Sequence, residues 1–171
     1  MKNKISIILA GLFILISLSS CGVKKKANED TAQWRYETEC AGREGVKGVY
    51  SLLVYSYSRN ADVAVEQAKK NAVHSVVFQG VSGEKCTSKR PLIENATLDQ
   101  RQEAFFESFF ADGGDYMKFA VRSTDASGTK VMKLSKREYK VGVKVDVNIE
   151  QLRKHLEKSG IIKGLGSMFK K

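Results

Sequence analysis

Between Tyr139 and Val147 the chain alternates without a break. Tyr139, Val141, Val143, Val145 and Val147 share one side of an extended strand, and Lys140, Gly142, Lys144 and Asp146 share the other. Strand side chains point to opposite faces with a period of two, so this segment fits a sheet with one dry face and one wet face. Such sheets are antiparallel, and the dry face needs a covering layer. A helix follows at once. Asn148 supplies its N-cap with Gln151 at the capping-box position, and Ile149, Leu152 and Leu156 form its apolar side. Gly160 is the expected stop.

The rest of the chain supplies partners for that strand. Gln33 to Cys40 reads as a strand, and a glycine-rich link, Gly42 to Gly48, leads to a second at Val49 to Tyr57. The two are expected to form a hairpin. Asn60 or Asp62 can cap a helix from Ala61 to Gln79, with Ala61, Ala64, Val65, Ala68, Ala72 and Val76 on its packing face. Glu66, Lys69, Lys70 and Asn71 are expected on the opposite, wet side. Residues 80–98 are irregular and contain the only proline, Pro91. A second helix is expected from Leu98 to Phe110, a turn at Asp112-Gly113-Gly114-Asp115, and strands at Tyr116 to Ser123 and Lys130 to Leu134. The expected fold is α+β: an antiparallel sheet of about five strands with two or three helices packed on one face. One domain, 33–160, would hold it, with 161–171 as a C-terminal tail.

The N-terminus reads as a processing segment. Lys2 and Lys4 precede an apolar run from Ile5 to Leu18, about the length of a signal-peptide core and short for a membrane span. The run ends in Leu18-Ser19-Ser20-Cys21, which resembles the lipobox of bacterial lipoproteins. That resemblance implies cleavage of residues 1–20 and a diacylglycerol on the Cys21 thiol, with a further acyl chain on the new amine. No other cofactor is expected. Each buried CH2 of an acyl chain contributes about 0.8 kcal/mol, so two or three chains anchor the protein firmly to a membrane. Residues 21–32 then form a tether carrying Lys24-Lys25-Lys26. Gly22 follows the cysteine where inner-membrane lipoproteins of many bacteria carry Asp, which implies the periplasmic face of the outer membrane.

The full chain carries a formal net charge of +10, and loss of Lys2 and Lys4 leaves +8 on the mature form. Basic proteins often bind nucleic acid, but export argues against it, and anionic phospholipid or lipopolysaccharide headgroups are the acidic partners within reach. With Cys21 consumed, Cys40 and Cys86 remain as an even pair in an oxidising compartment. A disulfide between them would contribute about 4 kcal/mol in the chain-entropy model; the alternative is two buried free thiols.

The residues offer little chemistry. His74 and His155 lie on different expected helices, outside any metal-ligand spacing, and read as structural or exposed. The chain has no nucleophile elbow, phosphate loop or dinucleotide fingerprint. Asp112 and Asp115 are too few for calcium and suit an ordinary turn. No catalytic or metal-binding residue is therefore assigned. Phe105, Phe106, Phe109 and Phe110 stand out, because a single helix face is expected to be too narrow for all four. They are expected either to dock a partner or to lie sandwiched between the sheet and the 80–98 segment. Lys133, Lys136, Arg137, Lys140 and Lys144 form a second candidate surface, or a lysine-guarded sheet edge.

The lipobox, the helix A-x-x-A-V-E-Q-A-K-K-N-A from Ala61, the alternating strand and the closing helix are similar to small bacterial lipoproteins of the 20-kDa antigen type. They also resemble the N-terminal domain of the flagellar assembly T protein. The likeness spans residues 49–156, departs at the phenylalanine-rich segment, and carries no catalytic residues over. It implies a non-enzymatic outer-membrane lipoprotein facing the periplasm. Such a protein would be a structural or accessory part of an envelope-spanning assembly, for instance a type VI-like secretion apparatus, with other envelope proteins as partners. The alternative is a lipoprotein that binds lipid or glycan.

Overall fold

The computed structural model describes residues 34–42, 48–83, 86, 88–94, 97–111, 113–123 and 129–164. Cys21, the signal segment, the tether lysines, Asp112 and residues 165–171 lie outside them. Strands β1 (Tyr36–Cys40), β2 (Val49–Ser58), β3 (Ala120–Arg122), β4 (Thr129–Ser135) and β5 (Glu138–Asn148) form one antiparallel sheet. Helices α1 (Ala61–His74), α2 (Gln100–Phe109) and α3 (Ile149–Lys158) complete the α+β fold. β5 is the backbone of the sheet. β2 pairs along its full length, while β3 and β4 share its other side, β3 opposite Val145–Val147 and β4 opposite Glu138–Val143.

The alternation of β5 sets the layers. Val141, Val143, Val145 and Val147 are buried, together with Leu52 and Val54 of β2, beneath Ala64, Ala68, Ala72 and Val73 of α1. Alanine lets the helix axis approach the sheet closely, and each fully buried valine contributes roughly 1.5–3 kcal/mol. On the wet face Tyr55 lies across Gly142. A Cβ there would stand 2.7 Å from the ring, so only glycine fits under that tyrosine.

Helix α1 is buried over a wider arc than its alanine stripe suggests. Asn60 caps it by accepting from the Asp62 N–H at 2.8 Å. Lys70 and Asn71, expected on the wet side, are 7% and 1% exposed. Asn71 belongs to a polar seam between helix and sheet and donates to Ser56 Oγ at 2.8 Å. The Lys70 ammonium lies 5.3 Å from the Trp34 ring centroid, over its face. Beyond His74 the last turn, Ser75–Gln79, widens, with Gly80 N–H donating to the Ser75 carbonyl five residues back. The Val76 and Val77 carbonyls then accept from Leu92 and Ile93 of the following segment.

Two further elements depart from expectation or sharpen it. Only Ala120–Arg122 of the expected strand at Tyr116–Ser123 is extended; Asp115–Lys118 is a 3-10 turn. Side chains three apart eclipse in such a turn, which carries Tyr116 within it and Phe119 at its end into the core together. At α3, Asn148 Oδ1 accepts from Gln151 N–H at 3.0 Å. The helix ends on Gly160 (φ 67°), with Gly160 N–H donating to the Glu157 carbonyl and Ile161 N–H to that of Leu156. That is the paired C-terminal bonding of a Schellman stop. Cys40, at the end of β1, is joined to Cys86 with Cα atoms 6.1 Å apart, tying the irregular segment to the sheet.

Candidate docking surface

The phenylalanine segment is core. Asp99 and Gln102 form a reciprocal capping box at the start of α2. At 3.6 residues per turn, positions 105, 106, 109 and 110 span about 140° of the helix surface, so one broad face does hold all four. Phe106, Phe109 and Phe110 are buried, and Phe105 is half-buried. A single helix face is therefore wide enough for the cluster, contrary to the expectation that it is too narrow, and of the four only Phe105 keeps partial exposure. Their rings pack on each other, and Phe106 packs on Phe78 and Phe109 on Phe119, with centroids 4.8 and 6.1 Å apart. Phe110, just past the helix end, closes on Trp34 and His74.

His74 sits in an aromatic cage built from distant parts of the chain. Trp34 stacks on its imidazole with centroids 3.6 Å apart and planes 18° from parallel. The Tyr36 hydroxyl lies 2.6 Å from His74 Nδ1. Burial, reinforced by the Lys70 charge, lowers the His74 pKa to about 3, and burial also raises that of Tyr36. The imidazole is therefore neutral at neutral pH, with one ring nitrogen a donor and the other an acceptor, and its Nδ1 shares a hydrogen bond with the Tyr36 hydroxyl. The sequence marks His74 as structural or exposed; nothing in its neighbourhood signals that Trp34, forty residues earlier, covers it.

The exposed apolar surface lies elsewhere. Val121 of β3 is 61% exposed, and Val131, Met132 and Leu134 of β4 are 55%, 41% and 49% exposed. Pairing of Val131 with Val141 and Met132 with Lys140 puts Val131 on the helix-side face and Met132 on the outer face, while Leu134 lies at the register shift between Lys133 and Ser135. Both faces of β4 are thus open. Among the described strands its outer edge has no partner. Lys130 and Lys133 lie within the strand, and Lys136 and Arg137 form the turn that follows. The sequence marked the cations here, but not the apolar side chains between them.

The five basic residues 133–144 do not form one free cationic face. Lys140 is ion-paired to Glu37 at 2.7 Å and lies over the rings of Tyr55 and Tyr57. Hydrogen bonds from Lys140 and Tyr57 lower the Glu37 carboxyl pKa, and the bond to Glu37 raises that of Lys140. Arg35 reaches Glu138 at 2.5 Å and stacks 4.3 Å over Tyr57. Lys133 faces Tyr139 instead, across the β4–β5 pair.

Among the described residues, no three His, Cys, Asp or Glu side chains gather as a metal site, and no helix is long and apolar enough to cross a membrane. His155 stands 3.6 Å from Asp115, whose pKa the Lys118 hydrogen bond lowers. No family model matches the chain, and no match was found among curated proteins or solved structures.

Proposed function

We propose that the protein is a non-catalytic lipoprotein, anchored through Cys21 on the periplasmic face of the outer membrane. In this reading it docks on an envelope-spanning assembly through its β3–β4 edge. The observation that carries the reading is the set of four large apolar side chains exposed along one open sheet edge. Exposed apolar edges invite pairing and aggregation unless something covers them. Strand addition uses the same features: the free backbone groups of the edge bind, and alternate side chains select. The cations of Lys130, Lys133, Lys136 and Arg137 along and beyond β4 favour an extended segment that is apolar and acidic by turns. A type VI-like secretion apparatus is one assembly that would use such a lipoprotein.

The test is crosslinking in intact cells, followed by affinity purification of the full chain and of Val131→Glu/Leu134→Glu. One or two envelope proteins recovered with the first and lost with the second support the reading. Equal recovery with both sinks it. Labelling with a fatty acid that disappears in Cys21→Ser tests the anchor separately.

A further inference from the structure

A second feature lies at the end of the sheet where the chain enters the domain. Arg35 precedes β1, Arg59 follows β2, and Arg137 sits in the β4–β5 turn. The strand register brings these distant positions together, because Tyr36 pairs with Ser56 and Ser58 with Tyr139. Together with Tyr57, Ser135 and Glu138 they line an open cleft of about 470 Å³.

The three arginines are not equivalent. Glu138 and the Tyr57 ring fix the Arg35 guanidinium from two sides. Arg59 and Arg137 are exposed, and among the described residues their guanidinium groups have no hydrogen bond or ion pair. Ser135 Oγ accepts from the Arg137 backbone N–H at 3.2 Å, which orders the turn that carries it. One of three positive charges is neutralised, so the cleft keeps a surplus of two. Guanidinium forks match the oxygens of a phosphate in paired, charge-assisted hydrogen bonds, and two unengaged forks beside a fixed third form a receptor for that group.

We propose that this cleft binds the phosphate of an anionic lipid headgroup. The choice of a headgroup rests on the anchoring reading. Cys21 lies fourteen residues before Arg35, a span of at most about 50 Å when fully extended. A domain anchored there can turn this end of the sheet to the bilayer, and the bound headgroup would fix its orientation.

Site-resolved arginine modification by phenylglyoxal, read by mass spectrometry on the full chain in non-ionic detergent, tests the proposal. Phosphatidylglycerol added to the micelles should slow modification of Arg59 and Arg137 about tenfold, the effect of one good charge-assisted contact. Phosphatidylcholine should not, and Arg90, which lies outside the cleft, should react at an unchanged rate. Arg59→Gln/Arg137→Gln should remove whatever protection Arg35 gains. Protection by millimolar inorganic phosphate but not by phosphatidylglycerol overturns the headgroup assignment in favour of a soluble phosphate. Protection by neither, or equal protection of Arg90, overturns the site itself. Because Cys21→Ser can be carried through the same titration, loss of the anchor and loss of the cleft are read separately.

Discussion

Phe109 in α2 is 3% exposed and Leu134 in β4 is 49% exposed, although both are large apolar side chains in short segments that mix apolar clusters with polar residues. What separates them is whether a second layer exists. Helix α2 and the Phe110 that follows it meet Phe78, Phe119 and the Trp34–His74 stack, so three of the four rings are buried and Phe105 is half-buried. Among the described strands, β4 has one neighbour, β5. Its side chains leave the sheet on both faces into water. An apolar cluster therefore marks a docking surface only where the fold has run out of cover, and clustering by itself does not say where that is.

The comparison yields four expectations, the strongest first. Phe109→Ala should cost about 3–5 kcal/mol in denaturant unfolding, as for other large core rings; a cost near that of a surface change would mean that α2 is not enclosed. Removing the Cys40–Cys86 link, by Cys86→Ser or by a reductant, should cost about 2–5 kcal/mol. The two treatments should agree, and neither should alter the β4 edge.

The third concerns the cage. The folded-state pKa of His74 is lowered to about 3, below its unfolded value near 6.5, so between these limits the unfolded chain binds the extra proton. Stability from this group is complete above about pH 6.5 and falls as the pH drops towards 3. In His74→Gln the acid limb of the stability–pH curve should flatten; an unchanged limb would mean that the imidazole is not enclosed. The smallest effect on stability is at the edge. Met132→Glu and Leu134→Glu should shift unfolding by no more than about 0.5 kcal/mol while lowering self-association. A larger loss would show that β4 is packed after all.

Much of this architecture was legible from local pattern. The alternation of β5, the alanine face of α1 and the Asn148 and Gly160 signals each depend on neighbours in sequence, and each appears where expected. What was not legible depends on distant contacts. Lys70 and Asn71 look like a wet face until Trp34 and Ser56 close over them. Tyr116 and Phe119 fit either a strand or a turn, and burial of both rings decides it. At the candidate surface the lysines of β4 were visible, but the exposure of Val131 and Leu134 depends on the absence of a covering helix, which no local pattern states. The arginines of the sheet-end cleft lie between positions 35 and 137 and meet only through strand register.

The most direct test of docking places a photo-crosslinking amino acid at Val131 in one strain and at Phe105 in another, each in the full chain in intact cells. The account predicts a discrete adduct with an envelope protein from Val131, abolished by Leu134→Glu, and no such adduct from Phe105. An adduct from Phe105 with none from Val131 would contradict it and return the docking surface to the phenylalanine helix.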